Sequence, residues 1–125
     1  MDQAIPEVMT DLMEPRAGGT VTIAPVVLTT IVRMTTLAQA GVLRLSPRTP
    51  SGLGRVLSKG AVDEGLRVEV FDDNSVAIDV HVIADPAVSL KDLGEGLQAR
   101  LARSMEYMVG MDVRAVNVFI DEIEF

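Results

Sequence analysis

The strongest alternation of apolar and polar residues runs from Val76 to Ala84. Val76, Ile78, Val80 and Val82 fall on one side, and Ala77, Asp79, His81 and Ile83 on the other. A period of two marks a half-buried strand. Leu66 to Phe71 alternates in the same way. Between the two segments stands Asp72-Asp73-Asn74-Ser75, whose side chains tolerate and bond the backbone of a tight turn, so a hairpin is predicted. Thr20 to Ala24 also alternates, with Val21 and Ile23 on one side, and predicts a short first strand.

The period then changes. Pro25 suits the first turn of a helix, where its missing N–H costs nothing. Val27, Ile31, Met34 and Ala38 follow helical spacing, as do Leu28 and Val32, and Gly41 supplies a stop. The run Thr29-Thr30-Ile31-Val32 is β-branched, so packing rather than propensity must hold this helix. After Asp85-Pro86 breaks the hairpin strand, Ser89-Leu90-Lys91-Asp92 resembles a capping box. Leu90, Leu93, Leu97, Leu101, Met105 and Met108 then step by three or four, predicting a helix of about twenty residues that ends at Gly110. Gly94 and Gly96 within it each cost about 1 kcal/mol relative to Ala, and a close approach to the sheet is the expected reason. Val116 to Phe125 reads as the last strand. Ile123 and Phe125 have the opposite parity to Val116, Val118 and Ile120, so a bulge near Asp121–Glu122 is expected to turn both sets inward.

Residues 42–65 lack a period. Pro47, Pro50, Gly52, Gly54, Gly60 and Gly65 mark a long loop, with a short turn around Leu53–Leu57. Loops of such length inside a domain are usually functional or mobile. The element order is therefore β-α-β-β-α-β. It predicts an α+β two-layer sandwich: an antiparallel or mixed sheet with two helices on one face, the ferredoxin-like split βαβ arrangement. The chain of 125 residues is expected to hold a flexible leader over 1–18 and a single domain over 19–125.

Composition sharpens this picture. The apolar share is 48% but the aromatic share only 3%, so the core must be aliphatic. Such a chain is not disordered, and it is poor in the rings on which nucleic-acid modules stack bases. Cysteine is absent, which removes disulfides, thiolate nucleophiles and Cys-based zinc sites, and favours a reducing compartment. The acidic start Met1-Asp2-Gln3-Ala4 is not a signal peptide. Residues 17–43 contain Pro25, Arg33, Gln39 and Gly41 and do not read as a membrane span.

The net charge of −7 disfavours generic nucleic-acid binding. It is unevenly spread. Residues 15–62 carry Arg16, Arg33, Arg44, Arg48, Arg55 and Lys59 without an acid, whereas most acids follow residue 62. Opposite-signed regions suit head-to-tail self-association. Within the long loop, Arg44, Arg48, Arg55 and Lys59 form the best candidate contact patch, for an acidic protein, anionic lipid or RNA, although charge runs are usually solvated surface.

Catalytic and metal chemistry has a thin basis. His81 and Asp79 share a strand face, with Glu69 as a third metal ligand from the neighbouring strand or Ser75 as a nucleophile, but a solvated sheet face explains them as well. Asp72-Asp73-Asn74 lacks the Gly and distal Glu of a calcium loop. No phosphate-loop pattern is present, and no cofactor is expected. Met105, Met108 and Met111 read as core filler. Phe71 and Phe119 join His81 on the predicted open sheet face, as a candidate partner contact.

Several segments together carry a family outline. Gly19-Thr20-Val21-Thr22-Ile23-Ala24-Pro25 leads into an apolar helix ending Ala40-Gly41-Val42, and Ser58-Lys59-Gly60 precedes Leu66-Arg67-Val68-Glu69-Val70. Val76-Ala77-Ile78-Asp79-Val80-His81-Val82-Ile83, Gly110 after the long helix, and Val116-Asn117-Val118 complete it. Over about residues 18–125 the chain resembles the alkaline shock protein family, the Gls-type envelope stress response proteins of bacteria. The resemblance implies a non-enzymatic cytoplasmic protein at the inner side of the envelope, self-associating and held by a membrane-anchored partner. It supplies no catalytic residue. Family members usually carry acids in the first helix, whereas here Arg33 is its only charge. An RNA-binding module using the open sheet face and the basic loop is the alternative, without an RNP motif or GxxG loop to support it.

Overall fold

The computed structural model describes residues 17–48 and 60–125. The elements are α1 (Pro25–Leu37), β1 (Val42–Leu45), β2 (Gly60–Asp63), β3 (Leu66–Val70), β4 (Val76–Ala84), α2 (Leu90–Ser104) continuing through a π-helical turn (Met105–Val109), and β5 (Val113–Ile123). The class is α+β, as expected. The order is α-β-β-β-β-α-β, so the ferredoxin-like β-α-β-β-α-β order is corrected.

β4 is the centre of a mixed sheet. One edge is shared: β3 pairs antiparallel with Val76–Val80, and β1 pairs antiparallel with Val82–Ala84. β5 runs parallel along the other edge for the whole length of β4. β2 adds to the outer edge of β3 through a turn at Glu64-Gly65.

Two of these strands fall in the stretch read as loop. Val42–Leu45 and Gly60–Asp63 are four-residue strands whose order comes from neighbours rather than from their own pattern. The leader reading for 1–16 and the turn read at Leu53–Leu57 lie outside the described residues. The predicted strand at Thr20–Ala24 is instead an extended, exposed segment with no ladder partner, and Val21 is 93% exposed. Alternation supplies a two-faced segment, but a strand also needs a free edge beside it.

Both helices cover one face of the sheet, and the core is almost wholly aliphatic. Leu66 and Val68 of β3 and Val76, Ile78, Val80 and Val82 of β4 meet Leu28 and Val32 of α1 and Leu93, Leu97, Leu101 and Met105 of α2. Burying each such side chain stabilises the fold by about 1.5–3 kcal/mol. On α1 the buried stripe is Leu28, Thr29, Val32 and Thr36; of the competing stripe, Val27 and Met34 are exposed and Ile31 is partly buried against the core.

The local signals at the chain reversals hold. Asn74 takes a left-handed backbone (φ 67°) in the hairpin turn, and the Asp73 carboxylate accepts from the Ser75 N–H at 3.1 Å. The Ser89 hydroxyl accepts from the Asp92 N–H at the start of α2. Gly110 ends that helix at φ 77°, donating to the Met105 carbonyl five residues back. That wider turn carries Met108 out of the leucine stripe, leaving it 67% exposed, while Met105 and Met111 are buried. The helix glycines do not face the sheet: a Cβ at Gly96 would meet the Gln39 side chain, and at Gly94 nothing. The bulge lies where the parity change placed it. Val82 pairs with Ile120 and Ile83 with Glu122, leaving Asp121 as the extra residue. It turns Ile123 inward, but Phe125 stays 99% exposed.

Candidate functional site

Two surfaces have features beyond a solvated exterior. The first is the open face of the sheet, opposite the helices. Cross-strand pairing sets Val62, Arg67, Asp79 and Asn117 in one row, and His81 beside Phe119 in the next. Asp79 is shared: Asn117 Nδ2 donates to it at 2.8 Å, and Arg67 lies at 3.1 Å. His81 Nδ1 is 3.1 Å from both Asp121 oxygens, and since a carboxylate only accepts, Nδ1 carries the proton. The His81 ring stacks on Phe119 with centroids 4.5 Å apart and planes 13° apart.

The bulge makes this cluster. As the extra residue, Asp121 turns towards His81, the Ser46 hydroxyl that follows β1, and Arg48. Burial pushes its carboxyl up, but the hydrogen bonds from His81 and Ser46 and the nearby His81 and Arg48 outweigh this and hold it below the usual range. Ser, His and Asp are thus together, yet not as a nucleophilic relay. Ser46 bonds the carboxylate, whereas a relay requires the hydroxyl at the other histidine nitrogen. The cluster braces the end of β1 against β4 and β5. Ser46 gave no signal in the sequence, since its part depends on β1 being a strand.

The other residues singled out from the sequence are placed as follows. Arg44 is bidentate on Glu124, at 2.5 and 2.7 Å. Arg48 lies 3.9 Å from Asp121. Arg55 and Lys59 are outside the described residues. Phe71 lies under the Arg114 guanidinium, 3.9 Å from the ring centroid. Ser75 bonds Asp73 and receives Arg114 Nε at 2.8 Å, far from His81 along the strand. Glu69 faces Ala77 rather than the histidine. Arg33 pairs with Asp63 of β2. Among the described bases of the early segment, Arg33, Arg44 and Arg48 each lie against an acid from the later part of the chain.

The hairpin end gives the clearest titration. Hydrogen bonds from the Ser75 hydroxyl and N–H, then from Arg114, hold the Asp73 carboxyl at about 2. A carboxyl held lower in the folded than in the unfolded chain adds stability above its unfolded value near 3.9, and that contribution is lost as pH falls from about 4 to 2. Asp73→Asn is expected to flatten the acid limb of the stability curve in that window. Acid titration followed by circular dichroism measures it, and an unchanged slope would remove the hairpin from acid unfolding.

The second surface is on the helix layer. Ile31, Met34, Thr35 and Ala38 of the α1 side face Arg100, Ser104 and Met108 across a mainly apolar groove of about 290 Å³. Met34 (66%), Leu37 (46%) and Met108 (67%) are exposed. A second cleft of about 650 Å³ lies between the Val21–Ile23 segment and Leu28, Val70, Val109 and Met111. Among the described residues no helix is long and apolar enough to cross a membrane.

The sequence model of the alkaline shock protein family, described as of cell envelope-related function, matches residues 13–125. The chain belongs to this family. The match spans both surfaces and every element of the fold. No curated protein and no solved structure matches the chain. For this alkaline shock protein family member, function is therefore tied to the cell envelope.

Proposed function

We propose that this protein is a non-enzymatic structural component of the envelope stress response. It self-associates at the inner face of the bacterial membrane, where a membrane-anchored protein holds it. The family match supports the envelope setting. The observation that carries the partner reading is the α1–α2 groove, where the methionines Met34 and Met108 stand exposed on an apolar floor. Solvated single-charge helix faces do not need such a surface, and apolar patches with a polar rim mark protein contacts. Methionine adapts its shape to a partner's side chains, and Arg100 supplies the rim charge. The partner is a protein segment with an apolar helical face.

Binding of the purified chain to washed bacterial membranes tests this. Met34→Glu with Met108→Glu alters only exposed side chains and is expected to leave folding intact while weakening membrane recovery at least about tenfold. Protease treatment of the membranes is expected to abolish recovery. Equal recovery of the variant, or equal binding to protein-free vesicles of the same lipids, would overturn the groove and the protein partner respectively. Retention of RNA on a filter at low salt, lost on raising salt, would instead favour the open-face RNA reading.

A further inference from the structure

Among the described residues the sheet ends in an open edge: β5 has eleven residues, Val113–Ile123, and pairs with β4 on one side alone. Its outward backbone groups can be assigned. The Val76 N–H bonds the Asp112 carbonyl and the Glu124 N–H bonds Ala84, so Asp112 and Glu124 point their backbones at β4. Gln98 from α2 donates to the Val116 carbonyl at 3.1 Å, so Val116 points away. Backbone direction alternates along a strand, so between the irregularities beside Ala115 and at Asp121 the free edge consists of Val116, Val118 and Ile120.

Between its two irregularities this edge is unprotected: Ala115 to Ile120 has no proline and no charged side chain, and β5 is long, whereas β2 at the opposite edge has four residues. The side chains of the same three residues are left half-covered by α2, while their β4 neighbours Ile78, Val80 and Val82 are fully buried. Charge at its ends is self-complementary. Arg114 stands near one end and Asp121 and Glu122 near the other.

We infer that β5 is the surface through which two copies of this chain join, edge to edge and antiparallel, about a two-fold axis at Val118. The inference rests on the self-association proposed above and names its surface. Parallel pairing would set Arg114 against Arg114, whereas antiparallel pairing sets it against the acids of the other copy at both ends. The register follows from the outward residues. Centring on Val118 joins Val116 to Ile120 of the second copy, Val118 to Val118, and Ile120 to Val116, so all three outward residues exchange ladder hydrogen bonds. Helix-side residues then meet helix-side residues, and one continuous sheet keeps all helices on the same face. A carbonyl has two lone pairs, so Val116 can accept from the second copy while Gln98 stays. The contact is isologous and closes at two copies.

The chain has no cysteine, which gives a register-specific test. Opposed residues of a hydrogen-bonded antiparallel pair have Cα atoms about 5.5 Å apart, within disulfide reach. Val118→Cys is expected to oxidise to a covalent dimer, and Val62→Cys, on the open sheet face at the other edge, is not. Val118→Pro removes an N–H that faces away from β4, so its far-ultraviolet circular dichroism should match the parent while its self-dissociation constant rises at least about tenfold. Light scattering of the parent is the separate control. A parent that stays monomeric at high concentration defeats self-association itself. A parent that associates while Val118→Cys fails to cross-link and Val118→Pro associates as tightly defeats the β5 edge alone.

Discussion

Leu97→Ala is expected to lower the unfolding free energy by about 2–5 kcal/mol, read as a fall in the urea midpoint with an unchanged slope. Leu97 is 0% exposed at the middle of the Leu93–Leu97–Leu101–Met105 stripe, where α2 meets the sheet and α1. The lost transfer free energy is only part of the effect. The surrounding side chains are Val, Leu and Met, and no aromatic ring lies in the core to tilt into the space. The β-branched valines of β4 are stiff at χ1, so the cavity is expected to stay largely open. Domains of this size have about 5–15 kcal/mol in total, so one substitution removes a large fraction. Met108→Ala is the matched control. Its side chain is 67% exposed, and its effect is expected to stay within about 0.5 kcal/mol.

Gly65→Ala is expected to destabilise the fold strongly although the residue lies outside the core. Gly65 sits at φ +80°, and the left-handed backbone costs a residue with a Cβ about 1–2 kcal/mol. Space is also missing. The new Cβ would lie 2.8 Å from the Ser46 carbonyl oxygen and 3.0 Å from the Leu45 Cβ. Both atoms belong to β1 or its end, and β1 is itself bonded to β4, so overpacking adds about 1–3 kcal/mol. Gly65 also donates to the Arg48 carbonyl and accepts from the His81 N–H. Displacement there would pull on the Ser46–His81–Asp121 brace. The expected readout is a lower melting temperature together with faster amide exchange at His81 and Ser46. Full retention of both would show that β1 is free to move away.

The parts legible in the sequence are those whose own side chains decide them. The β3–β4 hairpin, α2 and the bulge at Asp121 follow from periodicity, turn chemistry and a change of parity. β1 and β2 are not of this kind. Val42–Leu45 and Gly60–Asp63 are ordered by the edges of β4 and β3, and a run of four residues among prolines and glycines has no pattern of its own. The same dependence undid the strand read at Thr20–Ala24. For the open face, parity alone placed His81, Asp79 and Phe119 together. The partner of His81 was out of reach, because Asp121 is forty positions away and arrives only through a parallel pairing with a bulge. The described bases show the converse: Arg33, Arg44 and Arg48, separated in sequence from the acids, each meet one in the fold.

The π-helical turn after Ser104 decides the shape of the groove between α1 and α2. A bond spanning five residues rather than four holds one residue more than an α-turn. That extra residue puts Met108 on the wall of the groove instead of under the sheet. The apolar wall of the groove thus follows from the length of a single turn, while Met105 on one side of that turn and Met111 on the other stay in the core.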